Sequence, residues 1–166
     1  MQVDFREVRI PDDHEQLAEF LCNDEWPFHG QRKLTSADIA AMEFSTTNVA
    51  TFWVIADGRA VGLVRLLDLA DIGDGAPLFD LRIGSAYRSR GFGLRAVRWL
   101  VDYLFTTYPE LHRTEANTRH DNTAMQRILT AAGFTQEGRL RDAWKSDDGK
   151  WCDTLIYGIL RSDVRN

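Results

Sequence analysis

The segment Arg88-Ser89-Arg90-Gly91-Phe92-Gly93 has the residue types needed to hold an anion. Two glycines one residue apart let the backbone bend and approach a ligand closely. An apolar run at helical spacing follows. The free N–H groups of that helix start therefore point into the bend and, with the helix dipole, favour negative charge. Arg88 and Arg90 add positive charge, and a pyrophosphate meets these requirements. Other uses of the same residues make other demands. Gly91-Phe92-Gly93-Leu94-Arg95-Ala96 matches the dinucleotide fingerprint G-x-G-x-x-A, with Glu115 about twenty residues further on. That fingerprint opens a parallel βαβ fold, whereas a β meander precedes it here and too little chain follows. A Walker loop needs Gly-Lys-Ser/Thr, and Gly93 is followed by Leu94-Arg95. The plain alternative is a basic surface turn whose glycines serve geometry alone.

The elements around this loop follow from periodicity. Val3–Ile10 reads as a strand, and Pro11-Asp12-Asp13 as a helix start with acids in its first turn. Trp26-Pro27-Phe28-His29-Gly30 cannot continue a helix. A second helix starts at Thr35 or Ser36 with Asp38 as cap partner. Phe52–Ala56 and Ala60–Leu69 flank Asp57-Gly58, a hairpin signal. A turn at 71–77 leads to the strand Leu78–Ile83. Helices are expected at Leu94–Tyr108 and at Asn122–Ala132, the latter closed by Gly133. Arg113–Thr118 reads as the strand between them. Phe134–Leu140 and Trp151–Leu160 flank the turn Asp147-Asp148-Gly149-Lys150. This order predicts one α/β domain over residues 1–166: a mixed, mostly antiparallel sheet with helices on both faces.

The totals narrow the function. At 166 residues, 44% hydrophobic and 27% charged, the chain has the composition of a single globular domain. No run approaches the roughly eighteen apolar residues of a membrane span. The N-terminal residues lack an apolar signal core, so a cytoplasmic location and no membrane partner are expected. A net charge of −5 disfavours a nucleic-acid binder and is compatible with a cationic substrate. Cys22 and Cys152 lack metal-ligand spacing, and no metal is expected.

Arg88-x-x-Gly91-x-Gly93 resembles the acetyl-CoA signature of the GNAT superfamily of N-acetyltransferases. Glu115-Ala116, Asn122-x-x-Met125, Ile128-Leu129 and Gly133-Phe134 resemble a later stretch of that family. Glu137-Gly138-Arg139-Leu140-Arg141, Asp148-Gly149-Lys150-Trp151 and Tyr157-Gly158-Ile159-Leu160 are similar to its RimJ/RimL-like branch. The resemblance implies splayed parallel central strands, Leu78–Ile83 and Arg113–Thr118, with acetyl-CoA wedged between them. It implies that the backbone of Leu81 and Ile83 pairs with the acetyl oxygen and pantetheine arm. The N–H groups from Ser89 to Gly93 (Arg90, Gly91 and Phe92 included, beside Arg88) would meet the pyrophosphate, and Asn122 the pantetheine. Asn122 would serve equally well as a cap on its own helix.

Acetyl transfer to an amine needs a neutral nucleophile, a donor to the thioester oxygen and alignment of the reactants. An aliphatic amine is mostly charged at neutral pH, so a base is expected. Three candidates stand open. Glu115 shares a strand face with Asn117, which occupies the place of a glutamate in some relatives, or else pairs with Arg113 or Arg141. Asp80 lies on the splayed strand, or pairs with Arg82. His29, a side chain type that titrates near neutrality, sits in the Trp-Pro-Phe-His loop. Relatives carry a tyrosine acid where this chain has Leu129, and a serine where it has Met125. Little acid catalysis is therefore expected.

By resemblance, Trp26, Phe28 and Trp144 flank the acceptor, a small-molecule amine or a protein N-terminus. A homodimer is compatible with the family. Two other functions stay open: an acyl-CoA-binding sensor without turnover, and transfer of a bulkier acyl group such as succinyl.

Overall fold

The chain's most apolar stretches pair first. In the computed structural model, which describes residues 2–73 and 75–164, β2 (Ala50–Ala56) and β3 (Arg59–Leu67) form an antiparallel hairpin. Asp57 and Gly58 make its turn, both with positive φ, +48° and +77°. That is the twist a two-residue hairpin needs, and glycine adopts it without strain. β1 (Val3–Glu7) pairs with β2, and β4 (Leu78–Ile83) with β3, in the order β1-β2-β3-β4. A second sheet holds β5 (Arg113–Arg119), β6 (Thr135–Lys145) and β7 (Trp151–Leu160) in the order β5-β7-β6.

Successive strand residues point to opposite faces, and both faces of the first sheet are covered. Trp53 and Leu63 pack with Leu17, Leu21 and Trp26 beneath α1 (His14–Cys22) and α2 (Ser36–Ala41). Val54 and Val64 pack with Leu100 and Leu104 of α3 (Phe92–Thr107) and Leu129 of α4 (Thr123–Ala131). This second cluster also takes in Leu155, Tyr157 and Ile159 of β7, so one core joins the two sheets. Each fully buried leucine contributes about 1.5–3 kcal/mol relative to exposure. A last short helix, α5 (Arg161–Val164), follows β7.

Several boundaries differ from the sequence expectation. β1 ends at Glu7 because the chain turns there: the Arg9 carbonyl accepts the Asp13 N–H. Asp13 opens α1, but its carboxylate goes to Arg6 and to the Arg9 N–H. Thr35 and Asp38 form the expected reciprocal cap on α2. Residue 74 of the expected turn at 71–77 lies outside the described residues. α3 begins two residues earlier than Leu94, since Gly91 in the left-handed region starts the helix. β6 runs on to Lys145 past Asp142, whose φ is +49°. Every ladder is antiparallel. The expected neighbours β4 and β5 share no ladder among the described residues, which makes two sheets where one mixed sheet was expected.

Candidate active site

β4 and β5 separate just after Pro77. The Thr114 hydroxyl donates to the Pro77 carbonyl at 3.0 Å, and the Glu115 N–H reaches the same oxygen at 3.5 Å. Beyond that join the strands diverge around two adjoining cavities of about 240 and 180 Å³. Phe28, His29, Leu81, Arg82, Asn122 and Met125 line both. One cavity extends to Phe79, Asp80, Asn117, Thr118 and Trp144. The other extends to Ile83, Arg88, Gly93 and Ile128.

The edge of β4 faces this gap. The Gly84 N–H bonds to Val61 O, so by ladder alternation Asp80 and Arg82 also turn their backbone groups to β3. Leu81 and Ile83 turn theirs to the gap. The Leu81 carbonyl lies 3.3 Å from His29 Nε2, and the Ile83 carbonyl accepts from Arg88 Nε at 2.9 Å.

His29 is held from two sides. Its Nε2 lies 2.8 Å from Asp80 Oδ1, besides its approach to Leu81 O. Both neighbours are acceptors, so Nε2 carries the proton. The other nitrogen of a neutral ring is then a basic lone pair. Nδ1 is buried and has no hydrogen-bond partner among the described residues. Burial is the largest influence on Asp80 and pushes its pKa up. The His29 hydrogen bond and the charge and hydrogen bond of Arg82 together outweigh it, so the net shift is downward. Asp80 is thus an ionised carboxylate that fixes the imidazole tautomer.

Three arginines fix the loop carrying His29. Arg82 stacks over the Trp26 ring at 5.2 Å. Arg88 donates to the Glu25 carbonyl at 2.8 Å. Arg119, at the end of β5, donates to the Pro27 carbonyl at 3.3 Å and lies 5.3 Å over the Phe28 ring. Sequence reasoning missed Arg119, which has no local signal. It named Arg82 only as a partner for Asp80, although the two-residue spacing puts both on one strand face.

The glycine loop has the expected form. Ser89 and Gly91 have φ of +61° and +82°, and Gly91 precedes the first turn of α3. The first intrahelical bond is Arg95 N–H to Gly91 O, so the N–H groups of Phe92, Gly93 and Leu94 are left for a ligand. Arg90 lies over Tyr87 at 5.8 Å. Arg88 faces inward, toward β4 and residue 25, rather than into the bend.

Other expected residues fall differently. Glu115 lies outside the cleft, because Arg113 binds it at 2.8 Å and also binds Glu137. Trp26 is drawn into the core, 1% exposed, with Nε1 donating to Leu21 O, and it supports the loop while lining the second cavity. Phe28 and Trp144 do line the cleft. Asn122 caps α4 through Oδ1 to the Met125 N–H at 3.2 Å while also lining both cavities. Leu129 is fully buried in the core, and nothing at that position reaches the cleft. Among the described residues no group of three or more His, Cys, Asp or Glu is placed to hold a metal ion. No helix among them is long and apolar enough to cross a membrane.

The family model described as an acetyltransferase (GNAT) domain matches residues 3–135. A probable N-acetyltransferase, YjcK, of Bacillus subtilis (strain 168) is 29% identical over 149 residues, covering 90% of this chain and 81% of the relative. An uncharacterized N-acetyltransferase, p20, of Bacillus licheniformis is 33% identical over 81 residues, 49% of this chain and 44% of that protein. Among solved structures, the Vibrio cholerae spermidine N-acetyltransferase in complex with CoA and spermine superposes with a TM-score of 0.79. It is 20% identical, covering 99% of each chain. A GNAT-family acetyltransferase from Bacillus anthracis superposes at 0.78 with 18% identity, covering 98% of this chain and 96% of that one.

Proposed function

The chain belongs to the GNAT family of acetyltransferases, and on that premise we propose that it transfers acetyl groups to a small-molecule amine, with His29 as base and Asp80 positioning it. Acetyl-CoA, the co-substrate, supplies the thioester whose C–S bond is exchanged for a C–N bond. The amine is mostly protonated near neutral pH and attacks only when neutral. The ammonium proton is lost to solvent, His29 Nδ1 takes the second N–H proton as the neutral amine attacks, and Asp80 stabilises the charged imidazole. The proton ends on the coenzyme A sulfur, so amine and thioester become amide and thiol. The observation that carries this reading is the orientation of one ring in a residue that lines both cavities: Nε2 faces two acceptors, and the buried Nδ1 has no hydrogen-bond partner among the described residues.

The residues fit the co-substrate. The open N–H groups of Phe92, Gly93 and Leu94 suit its pyrophosphate. The exposed backbone edge at Leu81 and Ile83 suits the pantetheine amides, with Asn122 beside them. Phe28 and Trp144 provide the apolar wall for the acceptor. No side-chain acid serves the leaving sulfur: Met125 is apolar, and Leu129 is in the core.

The RimJ/RimL-like branch, a cytoplasmic location and the alternative acceptor, a protein N-terminus, belong to the same proposal. The sequence pattern from Glu137 to Arg141 supports the branch.

Thiol release from acetyl-CoA over a panel of amines and N-terminal peptides is the test. A positioned base contributes about 10²–10⁴-fold. His29→Gln is expected to lower kcat/KM by about 100-fold while calorimetric binding of coenzyme A is kept. Full activity in both His29→Gln and Asp80→Asn removes the base. Tight binding without turnover on any amine indicates a sensor, and preference for succinyl-CoA indicates a bulkier donor.

A further inference from the structure

The compartment on the Asp80 side of the cleft is lined by one carboxylate and one arginine, Asp80 and Arg82, with Arg65 beside Asp80. Asp80 is the sole carboxylate in its lining, and three side chains lie against it. Its Oδ1 faces His29 at 2.8 Å. Its Oδ2 accepts from Arg82 Nε at 3.0 Å and lies 3.9 Å from Arg65 Nη1. Arg65 stands directly across from Asp80 in the β3–β4 ladder. Arg65 has further support from Glu43, whose carbonyl accepts Nη2 at 3.0 Å and whose charge lies nearby.

Each arginine keeps one buried nitrogen without a hydrogen-bond partner among the described residues, Arg65 Nε and Arg82 Nη1, and of the two only Arg82 lines the cavities. Arg82 is 7% exposed. A guanidinium is always charged and its donors form a fork suited to a carboxylate. A buried donor of this kind is costly to leave unmade.

We infer that the acceptor is an amino acid: an amine carrying a carboxylate a few bonds away, the carboxylate received by Arg82 and the amine placed at His29. The two protein groups are bridged by the two oxygens of one carboxylate, so the ligand's groups are correspondingly close. A polyamine has the opposite requirement. It brings several positive charges and needs acids, and the one acid in this lining already faces two arginines and the His29 Nε2–H. The inference rests on the acetyltransferase reading and on this cavity receiving the acceptor.

The test compares matched acceptors with the full chain and acetyl-CoA: phenylalanine and methionine against their carboxamides, with spermidine and putrescine alongside. The carboxamide amines are the more readily neutral, so intrinsic reactivity favours the amides. A tenfold or greater kcat/KM preference for the acids therefore reports recognition of the carboxylate. Arg82→Lys is expected to lower that acid-to-amide ratio at least tenfold, because a point charge replaces the fork. A purely structural role lowers both substrates by one factor and leaves the ratio unchanged. Should the variant fail to fold, the ratio in the unaltered protein decides. Amides equal to or better than acids, or spermidine as the best substrate, overturn the inference and leave the acetyltransferase reading intact. Coenzyme A binding with no transfer to any amine overturns both.

Discussion

Gly93 and Ile128 meet where the first turn of α3 approaches α4: a Cβ built on Gly93 lies 2.8 Å from Ile128 Cδ1. The second glycine of the loop therefore serves helix packing beside the cleft. The first, Gly91, serves its positive φ.

That contact predicts a graded series. In Gly93→Ala the end of the Ile128 side chain can turn away, at a cost of about 1 kcal/mol. Gly93→Val adds branches that Ile128 cannot clear, and pushes α3 from α4. Coenzyme A binding by calorimetry is expected to weaken at least tenfold in Gly93→Val, and to recover in Gly93→Val combined with Ile128→Ala. Unchanged affinity in the valine variant removes the link between this packing and coenzyme A binding at the glycine loop.

Asp80 sets a dependence on acid. Its folded-state pKa lies below the usual value of about 4, so it is ionised in the folded chain when the unfolded chain has begun to protonate. Its stabilising contribution is complete above the unfolded value and is lost as pH falls toward the folded one. Urea midpoints are expected to fall from pH 5 to pH 3. Asp80→Asn is expected to flatten that slope and to lower stability at pH 7 by about 3–5 kcal/mol, since it leaves buried arginines without their carboxylate. A slope equal to that of the unaltered protein assigns the acid sensitivity to other pairs, of which Arg6–Asp13 is the first to examine.

Asn122 caps α4, and the cofactor contact proposed for it separates from that cap experimentally. Asn122→Ala removes the cap on the Met125 N–H and is expected to cost about 1 kcal/mol. Asn122→Ser keeps a capping oxygen and is expected to keep the melting temperature. A raised KM for acetyl-CoA in the serine variant then measures the cofactor contact alone. An unaltered KM there leaves Asn122 as a cap only.

Glu115→Gln tests the base that the fold turns away. Its carboxylate is paired with Arg113 at the sheet surface. Such a pair contributes about 0–1 kcal/mol. The variant is expected to keep kcat within twofold and lose little stability in thermal melts. A hundredfold fall in kcat would return Glu115 to the reaction.

Much of the fold was legible. The Asp57-Gly58 hairpin, the Thr35–Asp38 cap, the α3 stripe and the glycine loop follow from local steric and hydrogen-bonding rules acting within a few residues. The site was legible only as a set of alternatives. Asn117 and Glu115 share a strand face, yet Asn117 lines the cleft and Glu115 joins Arg113 and Glu137. The reason lies on the neighbouring strand. Gly158 stands opposite Glu115, and a Cβ there would come within 2.6 Å of Arg113 Nη1. Its missing side chain leaves room for the ion cluster.

The sequence by itself determined the elements, the glycine bend and the family, because turns, caps and helix starts are encoded by neighbours in the chain. Only the tertiary structure decided which titratable group faces the cleft. His29 and Asp80 are brought together by a loop that Arg82, Arg88 and Arg119 fasten from distant strands and turns. Contacts between residues so far apart depend on how sheets and helices pack, and no local pattern records them.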